Sequence, residues 1–143
     1  MEYAVTTLAT NGLSLASNLT YQLLQSTYQT LKSFATKNHY QINEVVEEYD
    51  LYTRLELIES LVHEISTKEV KFQDTTQKII KKINQVLEQI QGILKQIQDK
   101  IDRHNQKYLA SYRTLNYDAS ILQLKKQIQL MNQRYQMFLD VLM

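Results

Sequence analysis

Residues 79–108 read IIKKINQVLEQIQGILKQIQDKIDRHNQKY. Ile80, Leu87, Leu94, Ile101 and Tyr108 fall seven apart, interleaved with Ile83, Ile90, Ile97 and His104. Alternating steps of three and four put these side chains on one stripe of an α-helix, the seam of a coiled coil. Val86 and Ile93 widen the stripe, which suits packing among three or more helices better than a two-stranded zipper. Asp74/Lys78, Lys95/Asp99 and Asp99/Arg103 are oppositely charged i,i+4 pairs for the outer face.

The same spacing extends in both directions. Upstream it runs through Leu51, Leu55, Ile58, Val62, Ile65 and Phe72; downstream through Ile121, Leu124, Ile128, Met131, Tyr135, Phe138 and Leu142. Lys37-Asn38-His39-Tyr40 predicts a first connection, with Asn38 suited to a left-handed C′ position. Asn43 is a candidate N-cap, followed by acidic Glu44, Glu47 and Glu48. The heptad frame could run on past Ser66–Thr76, but one helix from 44 to 114 would be roughly 105 Å long at 1.5 Å per residue. Two capping-box patterns, Ser66–Glu69 and Asp74–Gln77, place a break near 72–75 instead. Thr114–Asp118 predicts the last connection, with Asn116 or Asp118 as cap. The expected fold is all-α: a single domain over 1–143, an elongated helical bundle or coiled coil of three to four helices. Their expected ranges are about 5–37, 43–71, 75–114 and 118–142.

Composition agrees. The 143 residues include no proline and only two glycines, so the punctuation of sandwiches and α/β loops is missing. There is no cysteine, which removes disulfides, thiolate metal sites and a cysteine nucleophile. Net charge is +1, giving no global field for nucleic acid, and a nucleic-acid partner is not expected. Lys78, Lys81 and Lys82 read as a solvated helix face. The start MEYAVTT lacks the basic region and continuous apolar core of a signal peptide.

The stretch Tyr3–Leu31 contains no Asp, Glu, Lys or Arg. It is too rich in Asn, Gln, Ser and Thr for a membrane span. Membrane contact by an inserting amphipathic helix is an alternative, but such helices usually carry Lys or Arg on the polar face. A helix buried among helices fits better: hydroxyls can bond nearby carbonyls, and no charge is desolvated. Ala9, Gly12 and Ala16 form a small-residue strip there, with Leu19 beside it. A carboxylate at position 16 is expected to block assembly without harming the fold.

In texture, this uncharged leading helix, coiled-coil middle and apolar closing helix resemble flagellin-like and type III secretion filament subunits. That resemblance implies terminal helices packed around a filament axis, and it carries no individual residue with it. The Pro-poor, Asn/Ile/Lys/Tyr-rich texture equally resembles a minor structural protein of a virion.

No catalytic or cofactor constellation emerges, and no enzyme activity, cofactor or metal is expected. His39, His63 and His104 lack the Glu-x-x-His of di-iron bundles. Glu59 and His63 share a face as any i,i+4 pair does. His104 occupies a seam position, either as a partly wet helix end or as a buried residue that fixes register and senses pH. The ten tyrosines come at helical spacing and read as core-edge packing. The expected function is therefore association, with copies of itself or in a hetero-assembly. The expected contact residues are Ala9, Gly12, Ala16, Leu19, Leu87, Ile90, Leu94, Ile97, Ile101, His104, Tyr108, Ile128, Met131, Tyr135, Phe138 and Leu142.

Overall fold

The computed structural model describes the backbone of residues 2–67, 73–106 and 116–142, and side chains from residue 14 onward. Among the described residues the chain is all-helical, with no strand. The helices are α1 (Glu2–Thr36), α2 (Tyr40–Glu48), α3 (Leu51–Thr67), α4 (Gln73–Gln106) and α5 (Asp118–Leu142).

The segment expected as one helix over 43–71 is two. α2 begins at Tyr40 with His39 as N-cap, three residues before Asn43, and no side chain caps it. It ends where Asp50 turns left-handed at φ 48°, a conformation Asp tolerates better than most side chains. Arg54 Nε donates to the Tyr49 carbonyl at 2.9 Å, satisfying an acceptor that the bend frees. Asn38 also has positive φ, 58°, at the C-terminus of α1. His39 packs edge-on against Phe34 there, with ring centroids 5.6 Å apart. At the entry to α5, Asn116 Oδ1 accepts the Asp118 N–H at 2.9 Å.

Cross-helix contacts give the topology. Ala16 and Thr20 of α1 meet Asn84 of α4, and further along Ser26 and Thr30 face Glu88, Lys95 and Gln98. The two longest helices therefore run in the same direction. Arg134 of α5 donates to the Lys82 carbonyl, and Lys100 donates to Ser120, so α5 runs against α4. Gln41–Asp118 and Lys125–Glu48 align the α2–α3 arm with α5. Packed neighbours close a ring in the order α1, α4, α5, α2–α3 and back to α1. α3 and α4 therefore run in opposite directions. Residues 68–72, where the break was expected to begin, and 107–115 lie outside the described residues.

The core fills this ring. Ile80, Ile83, Leu87, Ile90, Leu94 and Ile97 of α4 have at most 1% of their surface exposed. They meet Leu24, Leu31 and Phe34 from α1, Leu51, Leu55 and Ile58 from α3, and Leu124, Ile128, Met131 and Phe138 from α5 in one cluster.

Candidate interaction surface

The buried side of α1 answers why a helix would avoid charge. Thr20 and Thr27 are fully buried, and each hydroxyl reaches the carbonyl four residues back, Ala16 at 2.9 Å and Leu23 at 2.7 Å. A hydroxyl that turns onto its own helix can be buried with its hydrogen bond intact. Asn84 adds a cross-helix link: its Nδ2 donates to the Ala16 carbonyl at 3.0 Å, and its Oδ1 lies 2.5 Å from the Thr20 hydroxyl. Thr20 has one proton and two acceptors in reach. The Asn84 amide therefore locks α1 and α4 at one register, as a buried Asn does in a coiled coil. Gln77, Asn84, Gln91 and Gln98 occupy the same flank of α4. Nothing in their seven-residue spacing marks Asn84 as the buried one.

The contact residues expected from the sequence divide into three groups. Leu87, Ile90, Leu94, Ile97, Ile101, Ile128, Met131 and Phe138 are buried inside this chain. Ala16 is too, at 6% exposure beneath Asn84. These nine pack in the chain's own core. The seam pattern reports burial and is silent on whether the covering helix belongs to the same chain. Tyr135 and Leu142 are half-buried against the core, and His104 is partly exposed near the end of α4. Leu19 is 39% exposed. Ala9 and Gly12 belong to the α1 backbone, but their side chains lie outside the described residues, as does Tyr108.

The outward face is different. From Ser14 to Gln29 the exposed positions of α1 are Ser14, Leu15, Asn18, Leu19, Gln22, Gln25 and Gln29. None is charged, and Leu15 is 70% exposed. With Gln77, Lys81, Asn84, Gln85 and Glu88 of α4, Leu15, Ala16 and Leu19 line an open groove between the two helices. Elsewhere Leu57 on α3 is 46% exposed, and Tyr40, Leu122 and Met137 are also largely exposed. Leu15 stands four residues before Leu19 and so shares its side of α1. Leu57 stands one position off its helix seam and had no signal.

Ionisable chemistry is sparse. Tyr28 stacks on Tyr52, rings parallel within 4° and centroids 6.2 Å apart. Burial, and then the carboxylates of Glu59 and Glu56, push the Tyr28 phenol up to about 12. Among the described residues no group of three or more His, Cys, Asp or Glu stands together in a metal-holding cluster, and no helix is long and apolar enough to cross a membrane. Compared with known proteins, the chain matches no family model, no curated protein and no solved structure.

Proposed function

We propose that this chain is a non-enzymatic assembly protein, an elongated four-cornered helical bundle whose heptad seams hold it together and whose outer surface joins it to other subunits. One observation carries the reading: from Ser14 to Gln29, α1 presents an uncharged outer face with Leu15 and Leu19 in water. A helix face with no binding role ordinarily gains solubility from Lys and Glu. Interface cores are depleted of charge, because each buried ion must be desolvated. An apolar step rimmed by Asn, Gln and Ser has the composition of a surface that is covered in use. The partners this reading expects are proteins, in a homo-oligomer or a hetero-assembly such as a filament, a secretion apparatus or a virion.

The test is the mass of the native particle. Gel filtration with light scattering on gently lysed source material should find the chain in a particle of several subunits. A monomer both there and after purification would overturn the reading. Liposome co-sedimentation separates the rival, a membrane-inserting bundle: lipid-dependent pelleting that the Leu15→Glu change abolishes would favour the membrane.

A further inference from the structure

Charge is unevenly placed on this bundle. The α2–α3 arm, residues 40–67, holds seven carboxylates against one cation, Arg54, a net charge of −6. α4 and α5 together hold nine cations against six carboxylates, a net charge of +3. The cations gather where α4 meets α5. One cleft there is lined by Lys78, Lys82 and Arg134, the next by Lys126, and no carboxylate lines either. Lys78 is paired with Asp74 at 3.2 Å, but Lys82, Lys126 and Arg134 form no ion pair among the described residues. The groove between α1 and α4 differs, because Glu88 stands in it beside Lys81.

An acidic edge lies across the ring. Tyr52 of α3 stacks on Tyr28 of α1, and Glu56 and Glu59, four and seven residues on, share that flank of α3. Both are exposed and form no ion pair among the described residues. α1 brings no charge to this edge until Lys32. In the ring order α1, α4, α5, α2–α3, the α3–α1 edge is opposite the α4–α5 edge, so the two cannot meet within one copy.

Their heights agree. α1 and α4 run in one direction and α3 against both. Tyr28 lies between Ser26 and Thr30, which share a cleft with Gly92 of α4. Lys126 lines a cleft on the other side of Gly92, so Tyr28 and Lys126 stand at one level. Glu56 and Glu59 follow Tyr52 by roughly one and two turns toward the start of α1. That brings both between the levels of Lys126 and Lys82. A second copy laid alongside without sliding therefore sets these carboxylates against the cations.

We infer that the α4–α5 edge of one copy binds the α3–α1 edge of a second copy of this chain, with Lys82 and Lys126 set toward Glu59 and Glu56. The inference rests on the assembly reading and names its partner. Because the two edges lie on opposite sides, the contact is heterologous and repeats from copy to copy. It builds an open row and not a closed two-fold dimer. Each exposed ion pair contributes little to affinity, but together they fix which edges meet and which way round.

Charge reversal in the full chain tests this. Lys82→Glu with Lys126→Glu puts carboxylates on both edges; Glu56→Lys with Glu59→Lys puts lysines on both. All four positions are exposed, so circular dichroism should show both variants as helical as the parent. In sedimentation velocity at low salt the parent should form species that grow with concentration. Salt at about 1 M, where charges are screened beyond about 3 Å, should disperse them. Each variant alone should associate about tenfold more weakly, as attractive pairs become repulsive. Mixed one to one, the two variants should associate like the parent, since every acidic edge then finds a basic one. A mixture as weak as its components overturns the inference. So does an association that ignores both reversals, in which case the assembly reading stands on another surface. A purified parent that is monomeric at every concentration overturns it as well; if native material is still a large particle, the partner is then a different chain.

Discussion

α1 and α4 are the two longest helices, 35 and 34 residues, and they lie side by side in the same direction. Their buried faces obey different chemistry. α4 buries an almost unbroken run of Ile, Leu and Val with two polar side chains, Thr76 at its start and Asn84 within it. α1 buries leucines and Phe34 alternating with Ser17, Thr20 and Thr27. The stripe of α4 ends at water in lysines, glutamines and carboxylates. The outer side of α1 from Ser14 to Gln29 ends in leucines and uncharged amides. α4 thus behaves as the hub of the chain's own core, packed between α1 and α5. From Ser14 to Gln29, α1 has one buried face and one that stays uncharged in water, with Leu15 and Leu19 on it.

The sharpest way to break the comparison is Ala16→Glu. Were position 16 on the outer face of α1, a carboxylate there would act on assembly alone. It sits instead at 6% exposure, with its carbonyl held by Asn84. The larger side chain must push Asn84 aside or lose its hydration, so the variant should be destabilised by about 3 kcal/mol or more. Thermal melting would show this as a large drop in midpoint for the isolated monomer. A monomer that melts like the parent would put position 16 on the outside.

A smaller effect is expected at the link between the helices. Asn84→Ala removes the amide that joins the Ala16 carbonyl to Thr20, and should cost about 1–3 kcal/mol. Adding Thr20→Val to Asn84→Ala should cost less than the two single changes combined, because both act on one network. Denaturant melts of the four proteins give the coupling energy. Strict additivity would mean that the three groups do not act together.

Helicity was legible because it rests on periodicity and on missing residues: seams from Leu51 to Leu142 and no proline. The bend was not. Leu51, Leu55 and Ile58 keep their three-and-four rhythm straight after it, and a left-handed Asp50 leaves no trace in an apolar pattern. The seam residues carry the same ambiguity. Leu87 and Leu94 would show the same spacing whether α1 and α5 or another chain covered them, and connectivity alone decides. Position 16 was read from its size. Ala favours close helix approach, but it cannot say which helix approaches. What the sequence did reveal about α1 was the absence of charge from Tyr3 to Leu31, since that holds on every side of the helix whichever one is covered.

The smallest effect concerns the contact of α1 with α3, where Tyr28 stacks on Tyr52 beside Glu56 and Glu59. Burial and those two carboxylates oppose the phenolate, so the folded state holds the Tyr28 proton up to about pH 12, against an ordinary value of 10.0. A pKa raised by folding contributes stability that is fully present below pH 10 and is lost as pH rises from about 10 to 12. Tyr28→Phe removes the ionising group and also the phenol oxygen, which is buried with no hydrogen-bond partner among the described residues. At neutral pH the variant should match the parent within about 1 kcal/mol, since losing an unsatisfied hydroxyl costs little. Between pH 10 and 12 the parent should lose stability faster than the variant. Tyr52 is raised in the same direction by burial, so the variant should keep part of the alkaline slope. Urea melts at pH 8 and pH 11 measure the difference. Equal losses in both proteins would mean that the Tyr28 phenol is solvated, and that this side of α1 is looser than the side against α4.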